Sequence, residues 1–457
     1  MSLTRRVASG VRTQIQPWRR LYSSTELDVH RERLVVIGSG WAGFGILHEV
    51  DKKKYQTVVI SPRSYFAFTP LLASTAVGTL EFRAAIEPVR RKGVELYQAW
   101  AETVDFENKS IVVQSNLGSG LDKDQGGEKF TVKYDKLVIA PGAYSQTFNI
   151  PGVPQHAYFL KDVSDARRIR QRILSNFERA ALPTTSPSER DKLLHFAIVG
   201  GGATGVEFAA ELHDLLHDDL PALYPTQGTK SLVEQHARIT IYDVAPRILG
   251  MFDTALSEFA ERHLKREGVT VRPNHIVERV EPGMLHFKGG EVVSFGMLVW
   301  ATGLATNPFV AGMKGIEKEP SHQARILTDA KLRVLKEGGG VVADVFALGD
   351  CAAVKDGPIL PTTAQVASQK AKYLAKHLNA DDPNTTPDFA FKNFGALAYL
   401  GGWRAIMQGE SQNVKGWAAW VIWRGAYLTK SVSWRNKILI PTLWMINWLF
   451  GRDISRF

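Results

Sequence analysis

A single cysteine, Cys351, stands in 457 residues. With no second thiol the chain can close no internal disulfide and has no dithiol redox pair. It also lacks any stretch of about 20 uninterrupted apolar residues, the length a helix needs to cross ~30 Å of hydrocarbon. No D-x-[DN]-x-[DN]-G run with a terminal Glu occurs, so calcium control is not expected, and no metal site is expected.

Acid is missing from the first 25 residues, where Arg5, Arg6, Arg12, Arg19 and Arg20 stand among Ser, Thr and apolar residues. That composition is the mark of a mitochondrial transit peptide, expected over residues 1–25 with processing after Tyr22. The net charge of +10 is concentrated at the two ends: +5 in residues 1–25 and +6 in residues 400–457. The stretch between is nearly neutral, which argues against a broad nucleic-acid-binding face. An apolar content of 44% beside 22% charged residues is that of a folded globular protein, and the length predicts two or three domains.

The chain then shows one pattern twice. Arg33-Leu34-Val35-Val36-Ile37 reads as a buried parallel strand and runs into Gly38-Ser39-Gly40-Trp41-Ala42-Gly43, a helix, and a second strand at Thr57–Ile60. Some 160 residues later His195–Val199 runs into Gly200-Gly201-Gly202-Ala203-Thr204-Gly205, a helix, and the strand Ile239–Tyr242 ending in Asp243. Each copy is followed by a strand closing in a tight turn, Ala140-Pro141-Gly142 and Ala301-Thr302-Gly303. Glycines at these spacings let backbone approach a pyrophosphate at the positive end of a helix dipole. Two such sites imply two dinucleotides, and one dinucleotide reducing another is redox chemistry. A third strand ends in Gly349-Asp350, which places a carboxylate for sugar or ribityl hydroxyls. Asp243 closes the second unit, where an acid accepts hydrogen bonds from ribose hydroxyls and repels a 2′-phosphate; NADH is therefore expected over NADPH, with Arg247 nearby. The equivalent position in the first unit is Ser61, and Arg63 is the nearby residue that can compensate.

These elements, in this order, resemble the two-dinucleotide-binding flavoproteins. The resemblance implies an α/β fold of two Rossmann-like domains, with the NADH domain (166–300) inserted into the FAD domain (30–165 and 301–388). The missing cysteine pair sets aside the disulfide reductases and sulfide:quinone oxidoreductases of that superfamily. Ser61-Pro62-Arg63, Thr69-Pro70-Leu71, Gly205-Val206-Glu207 and Ala364-Gln365-Val366-Ala367 with Gln369 are similar to motifs of the type II, single-subunit NADH:quinone oxidoreductases of fungal and plant mitochondria. That likeness implies non-covalent FAD held by Gly38, Gly40, Trp41, Ala42, Gly43, Ser61, Pro62, Arg63, Thr69, Pro70, Leu71, Ala140, Pro141, Gly142, Gly349, Asp350, Ala364 and Gln365. It implies NADH as substrate at Gly200, Gly201, Gly202, Ala203, Thr204, Gly205, Glu207, Asp243, Ala301, Thr302 and Gly303. Glu207 would sit near flavin and nicotinamide, and Gln365 and Gln369 on the side where ubiquinone is reduced. The competing reading is an apoptosis-inducing-factor-like NADH oxidoreductase with a signalling or assembly role; a further one is a degenerate flavoprotein kept as a membrane-bound partner.

Residues 389–457 form a distinct C-terminal module holding seven of the eleven tryptophans. The segment from Ile438 to Phe450, interrupted by Pro441, is too short to span a bilayer, and Trp beside Arg and Lys suits the headgroup boundary. The expectation is helices lying on the inner mitochondrial membrane at its matrix side, with a homodimer as the other use of the same apolar surface. Arg424 falls on the face of Trp417 and Trp420, where it would snorkel to headgroups or the tryptophans would meet another subunit. Without a transmembrane relay, proton pumping is not expected.

Overall fold

The computed structural model describes residues 31–116, 127–226, 228–320, 324–410, 412–431 and 433–455. The expected leader, residues 1–25, lies outside them.

Leu34, Val35 and Val36 are fully buried, as a strand covered on both faces of a parallel sheet requires. Their strand, Glu32–Ile37, pairs in parallel with Tyr55–Ser61 on one side and Lys136–Ile139 on the other. Glu95–Asp105 and Val341–Ala347 extend the parallel core outward, and further strands complete a ten-stranded sheet. Helix Trp41–Glu49 packs against helix Ala364–Asn379. Gly45 sets that spacing, because a Cβ there would lie 2.8 Å from Cβ of Ala371.

The second sheet is parallel throughout, in the order Tyr158–Phe159, Met297–Trp300, His195–Val199, Arg238–Tyr242, Thr270–Arg272. Its edge strand therefore starts ahead of residue 166, the boundary expected from sequence. Pairing of Tyr158 with Val299 explains this: two residues are too few to show as an apolar run. Helix Val163–Ala181 starts at a capping box made by Asp162 and Asp165. Helix Ala203–Asp214 is buried from Gly205 to Asp214, its polar residues included.

That burial comes from the C-terminal module. An antiparallel meander of Ala396–Gly401, Arg404–Gln408 and Asn413–Gly416 lies against helix Ala203–Asp214, and Tyr399, Trp420 and Trp423 pack around Ala210. Tyr399 donates its hydroxyl to Asp214 at 2.6 Å, which satisfies a carboxylate that the packing hides from water. Helix Trp417–Lys430 follows, then helix Trp434–Phe450, which continues through Pro441. At 17 residues this last helix is about 25 Å long.

One expectation about the tail is corrected. Arg424 does not snorkel: its guanidinium lies 4.5 Å from the ring centre of Trp420 and 4.2 Å from that of Trp444, pinning one helix to the other. Asn447 turns inward and donates to the carbonyls of Gly78 and Thr79. Asn436 likewise donates inward, to the Ile86 carbonyl and the Glu87 carboxylate. The inward face is thus marked by amides, and much of the apolar surface, Ile446 and Phe450 included, points outward.

Candidate active site

Two glycine cradles face open space. Gly38 (φ +103°) and Gly200 (φ +113°) hold backbone that L side chains avoid, and a Cβ on either would collide with the carbonyl of Ala140 or Ala301, at 2.1 and 2.4 Å. Gly43 and Gly205 are equally pinched, each against the carbonyl of the first glycine of its own cradle. Gly40 and Gly202 differ: a Cβ there meets nothing within 4 Å. Both are helix N-caps without a side-chain cap. The first N–H groups of helices Trp41–Glu49 and Ala203–Asp214 are thereby left for an outside acceptor. This donor set fits two pyrophosphates, one at each cradle.

The first cradle opens into a cavity of about 770 Å³. Its wall includes Gly38, Gly40, Trp41, Ala42, Ser61, Pro62, Arg63, Thr69, Pro70, Ala140, Pro141, Gly142, Gly349, Asp350 and Ala364. Gly43 and Leu71 are absent from it; Leu71 is core packing, 1% exposed. Ser61 spends its hydroxyl on Ser39 at 2.9 Å and on the amide of Arg63. Arg63 is in turn ion-paired with Asp162, which also accepts from the Tyr65 hydroxyl at 2.6 Å. Burial pushes the Asp350 carboxyl up and the Lys161 ammonium down. Lys161 donates to the carbonyl of Ala143 at 3.0 Å. Lys161, Asp162 and Asp165 line the cavity and are missed by motif reading; the Asp162-x-x-Asp165 capping box is the signal that marks them.

The second cradle lies outside that cavity wall, with Gly200, Gly201, Gly202, Gly205, Ala301, Thr302 and Gly303. Ala203, Thr204 and Glu207 do line the cavity, so one helix serves both sites. Asp243 accepts from the amides of Gly201 and Ala245, which fixes its carboxylate beside the cradle. Arg247 is exposed and held by the Thr254 hydroxyl at 2.7 Å.

Glu207 is the titratable group where the two sites meet. It is 9% exposed, and burial pushes its carboxyl up to about 7, against donors from the Tyr399 amide and the Trp423 indole and with Glu211 close by. A neutral carboxylic acid near pH 7 can give or take a proton at the working pH. The same cavity is closed by Leu397 and Tyr427 from the C-terminal module. Neither belongs to a motif, so sequence gives no sign of them.

Gln365 and Gln369 are not brought to the cavity. Each amide bonds backbone on both sides: Gln365 to Gly395 and Phe394, Gln369 twice to Lys392. Spaced four apart on helix Ala364–Asn379, they hold the segment that enters the C-terminal meander.

Comparison with known proteins agrees with this geometry. Residues 32–371 match the family of pyridine nucleotide-disulphide oxidoreductases, and residues 394–453 match the NDH2 C-terminal domain. A probable NADH dehydrogenase of Dictyostelium discoideum is 41% identical over 94% of this chain and 92% of its own length. The mitochondrial internal alternative NAD(P)H-ubiquinone oxidoreductase A1 of Solanum tuberosum is 37% identical over 98% of this chain and 94% of its own. Among solved structures, NDH2 from Plasmodium falciparum in complex with NADH superposes with a TM-score of 0.85 at 26% identity, over 93% of this chain and 100% of that one. The chain belongs to the pyridine nucleotide-disulphide oxidoreductase family and, with its NDH2 C-terminal domain, to the type II NADH dehydrogenases within it.

Proposed function

We infer that this protein oxidises NADH through bound FAD and reduces ubiquinone, without moving protons across a membrane. The observation that carries this is the helix Ala203–Asp214, whose N-terminus forms the second cradle while Glu207, one turn on, lines the cavity of the first. Bound between the Gly38–Gly43 turn and Asp350, FAD supplies a two-electron acceptor for NADH and a donor for quinone. The chain's own part is binding, orientation and proton supply. Gly202 and its neighbours receive the NADH pyrophosphate, and Asp243 its ribose. Quinone reduction consumes two protons, and Glu207 holds one at the cavity wall near pH 7. Gln365 and Gln369 act as positioning residues, holding the stretch before Leu397 and so the quinone side of the cavity.

The C-terminal helices set this site against a membrane surface. No described helix is long and apolar enough to cross a bilayer. Trp434, Ile438, Trp448 and Phe450 are exposed, with Arg435 and Lys437 beside the first two, an arrangement suited to the headgroup boundary. We assign it to the mitochondrial inner membrane at the matrix face, on the strength of the arginine-rich leader, and place a homodimer contact on the exposed Trp417, Val421 and Ile422.

Steady-state NADH oxidation by the FAD-supplemented protein, with and without a short-chain ubiquinone, tests this reading. Quinone-dependent turnover, weak with NADPH, is expected. Flavin that NADH reduces and quinone does not reoxidise would overturn it in favour of the apoptosis-inducing-factor-like alternative.

A further inference from the structure

Adjoining the first cavity is a second one of about 580 Å³, within the range of small-molecule sites. Helix Ala364–Asn379, strands Ile326–Thr328 and Ala352–Val354, the loop 355–361 and the stretch Phe389–Phe391 enclose it. It shares Gly349, Asp350, Thr362 and Ala367 with the first cavity's wall.

Its lining combines an apolar stretch with charged residues, of which Lys370 is the cation without a carboxylate partner. Leu327, Val354, Ile359, Leu360, Phe389 and Phe391 supply the apolar surface, and Ile359 stands 89% exposed beside it. Lys370 is 2% exposed. Among the described residues its ammonium has one hydrogen bond, a long 3.4 Å contact to the carbonyl of Ala352, and no carboxylate within 4.0 Å. A buried ammonium with two of its three donors unused is costly unless something satisfies it. The other cations on the wall are already paired, Arg325 with Glu319 through bonds of 2.8 and 3.0 Å and Lys355 with Glu317 at 2.7 Å. Burial brings Lys370 down to about 8, so it remains mostly charged at neutral pH.

We propose that this cavity binds a free fatty acid, its carboxylate on Lys370 and its alkyl chain along Leu327, Val354, Leu360 and the two phenylalanines. A single unpaired ammonium matches a monoanion, and Asp350 and Glu319 on the same wall disfavour a doubly charged phosphate. The run of Leu327, Val354, Leu360, Phe389 and Phe391 along the wall matches an alkyl chain rather than a sugar or nucleotide.

The test is isothermal titration of the FAD-loaded full-length protein with dodecanoate, dodecanol and dodecyltrimethylammonium, each below its micelle concentration. Dodecanoate should bind saturably at one site, at least about tenfold tighter than the other two, the worth of a charge-assisted hydrogen bond. Lys370→Met should weaken dodecanoate at least tenfold with bound FAD unchanged. Ile359→Glu, on an exposed side chain that folding does not depend on, should weaken it too. Equal affinity for the cationic amphiphile would overturn the proposal, as would dodecanoate binding that survives both substitutions. So would absence of saturable binding to the wild type. Displacement of dodecanoate by a short-chain ubiquinone would reassign the cavity to the quinone and equally end the proposal.

Discussion

The indole Nε1 of Trp423 donates to Oε1 of Glu207 at 3.3 Å, and the amide of Tyr399 donates to the same oxygen at 3.1 Å. Both donors come from the C-terminal module, 192 and 216 residues further along the chain. The acid at the cavity wall is therefore buried, and its protonation set, by a part of the chain that contains neither glycine cradle. Burial raises the carboxyl and these two donors hold it partly back, since hydrogen bonds to a carboxylate favour the charged form.

Trp423→Phe keeps the ring packing on Tyr399 and removes one donor. The Glu207 carboxyl should rise above 7 by up to about one pH unit, the worth of one ordinary hydrogen bond. If protonated Glu207 supplies quinone reduction, turnover declines as pH rises through 7, and in the variant this limb moves to higher pH. A profile of kcat against pH with short-chain ubiquinone reads the shift directly. An unmoved limb would separate Glu207 from the protonation that limits turnover.

Glu207 also makes stability depend on pH. Its folded value of about 7 lies above the ordinary 4.5, so the native state is the one that holds the proton more tightly. Stability contributed by the neutral acid is complete below 4.5 and is lost as pH rises toward and through 7. Glu207→Gln cannot ionise and its amide oxygen still accepts from Trp423 and Tyr399. The variant should therefore gain on the wild type by about 2 kcal/mol between pH 5.5 and 8.5. Thermal melts of the FAD-bound proteins at both pH values check this, and a constant gap would refute it.

What the sequence makes legible is local chemistry. Gly38 and Gly200 follow apolar strands at a spacing with one good physical explanation, and the structure places a cradle at each. Ser61 shows as a missing acid, but that its hydroxyl turns to Ser39 depends on packing between two strand ends. Leu397 and Tyr427 are invisible for a different reason: they reach the cavity only because the meander and helix Trp417–Lys430 fold back over helix Ala203–Asp214. The glutamines present the converse case. Gln365 and Gln369 stand out by pattern, and the structure spends both amides on the backbone of residues 392–395. In the tail, an apolar helix does not show by hydropathy which face turns inward; Asn447 does, donating to the carbonyls of Gly78 and Thr79, while Phe450 stays exposed.

The two cradles should fail independently. Gly40 and Gly202 have extended backbone that any residue adopts, and a Cβ at either points into open space. Valine is therefore tolerated by the fold and obstructs only what binds there. Gly202→Val should raise the KM for NADH at least about tenfold, some 1.4 kcal/mol, with full flavin content. Gly40→Val should lose flavin, seen as loss of absorbance near 450 nm in the purified protein. Joint loss of flavin in both variants would break the assignment of one dinucleotide to each cradle.

Asp243 predicts cofactor choice. Its carboxylate is pinned by the amides of Gly201 and Ala245, leaving a fixed negative charge where a 2′-phosphate would lie. Asp243→Asn removes the charge and keeps an acceptor for one of the two amides. The ratio of kcat/KM for NADPH to that for NADH should rise about tenfold, on the scale of one close charge pair at a protein surface. An unchanged ratio would show that Asp243 serves only to brace the Gly201 turn.

The outward face of the last helix separates membrane docking from pairing of two copies. Trp434, Trp448 and Phe450 are 80%, 69% and 81% exposed, so replacing all three with serine leaves no cavity in the protein. Each aromatic ring buries on the order of 150–250 Å² when it enters an apolar phase, worth about 4–6 kcal/mol at ~25 cal/mol per Å². Even partial insertion of the three predicts at least a hundredfold loss of partitioning onto vesicles of phosphatidylcholine with phosphatidylglycerol. Reduction of the flavin by NADH should be untouched, because these residues lie outside the cavity wall. Sedimentation of the same variant in detergent distinguishes the alternative. Unaltered partitioning with a change from dimer to monomer would make this face the subunit contact, and the exposed Trp417, Val421 and Ile422 on the preceding helix would then be left to meet the lipid.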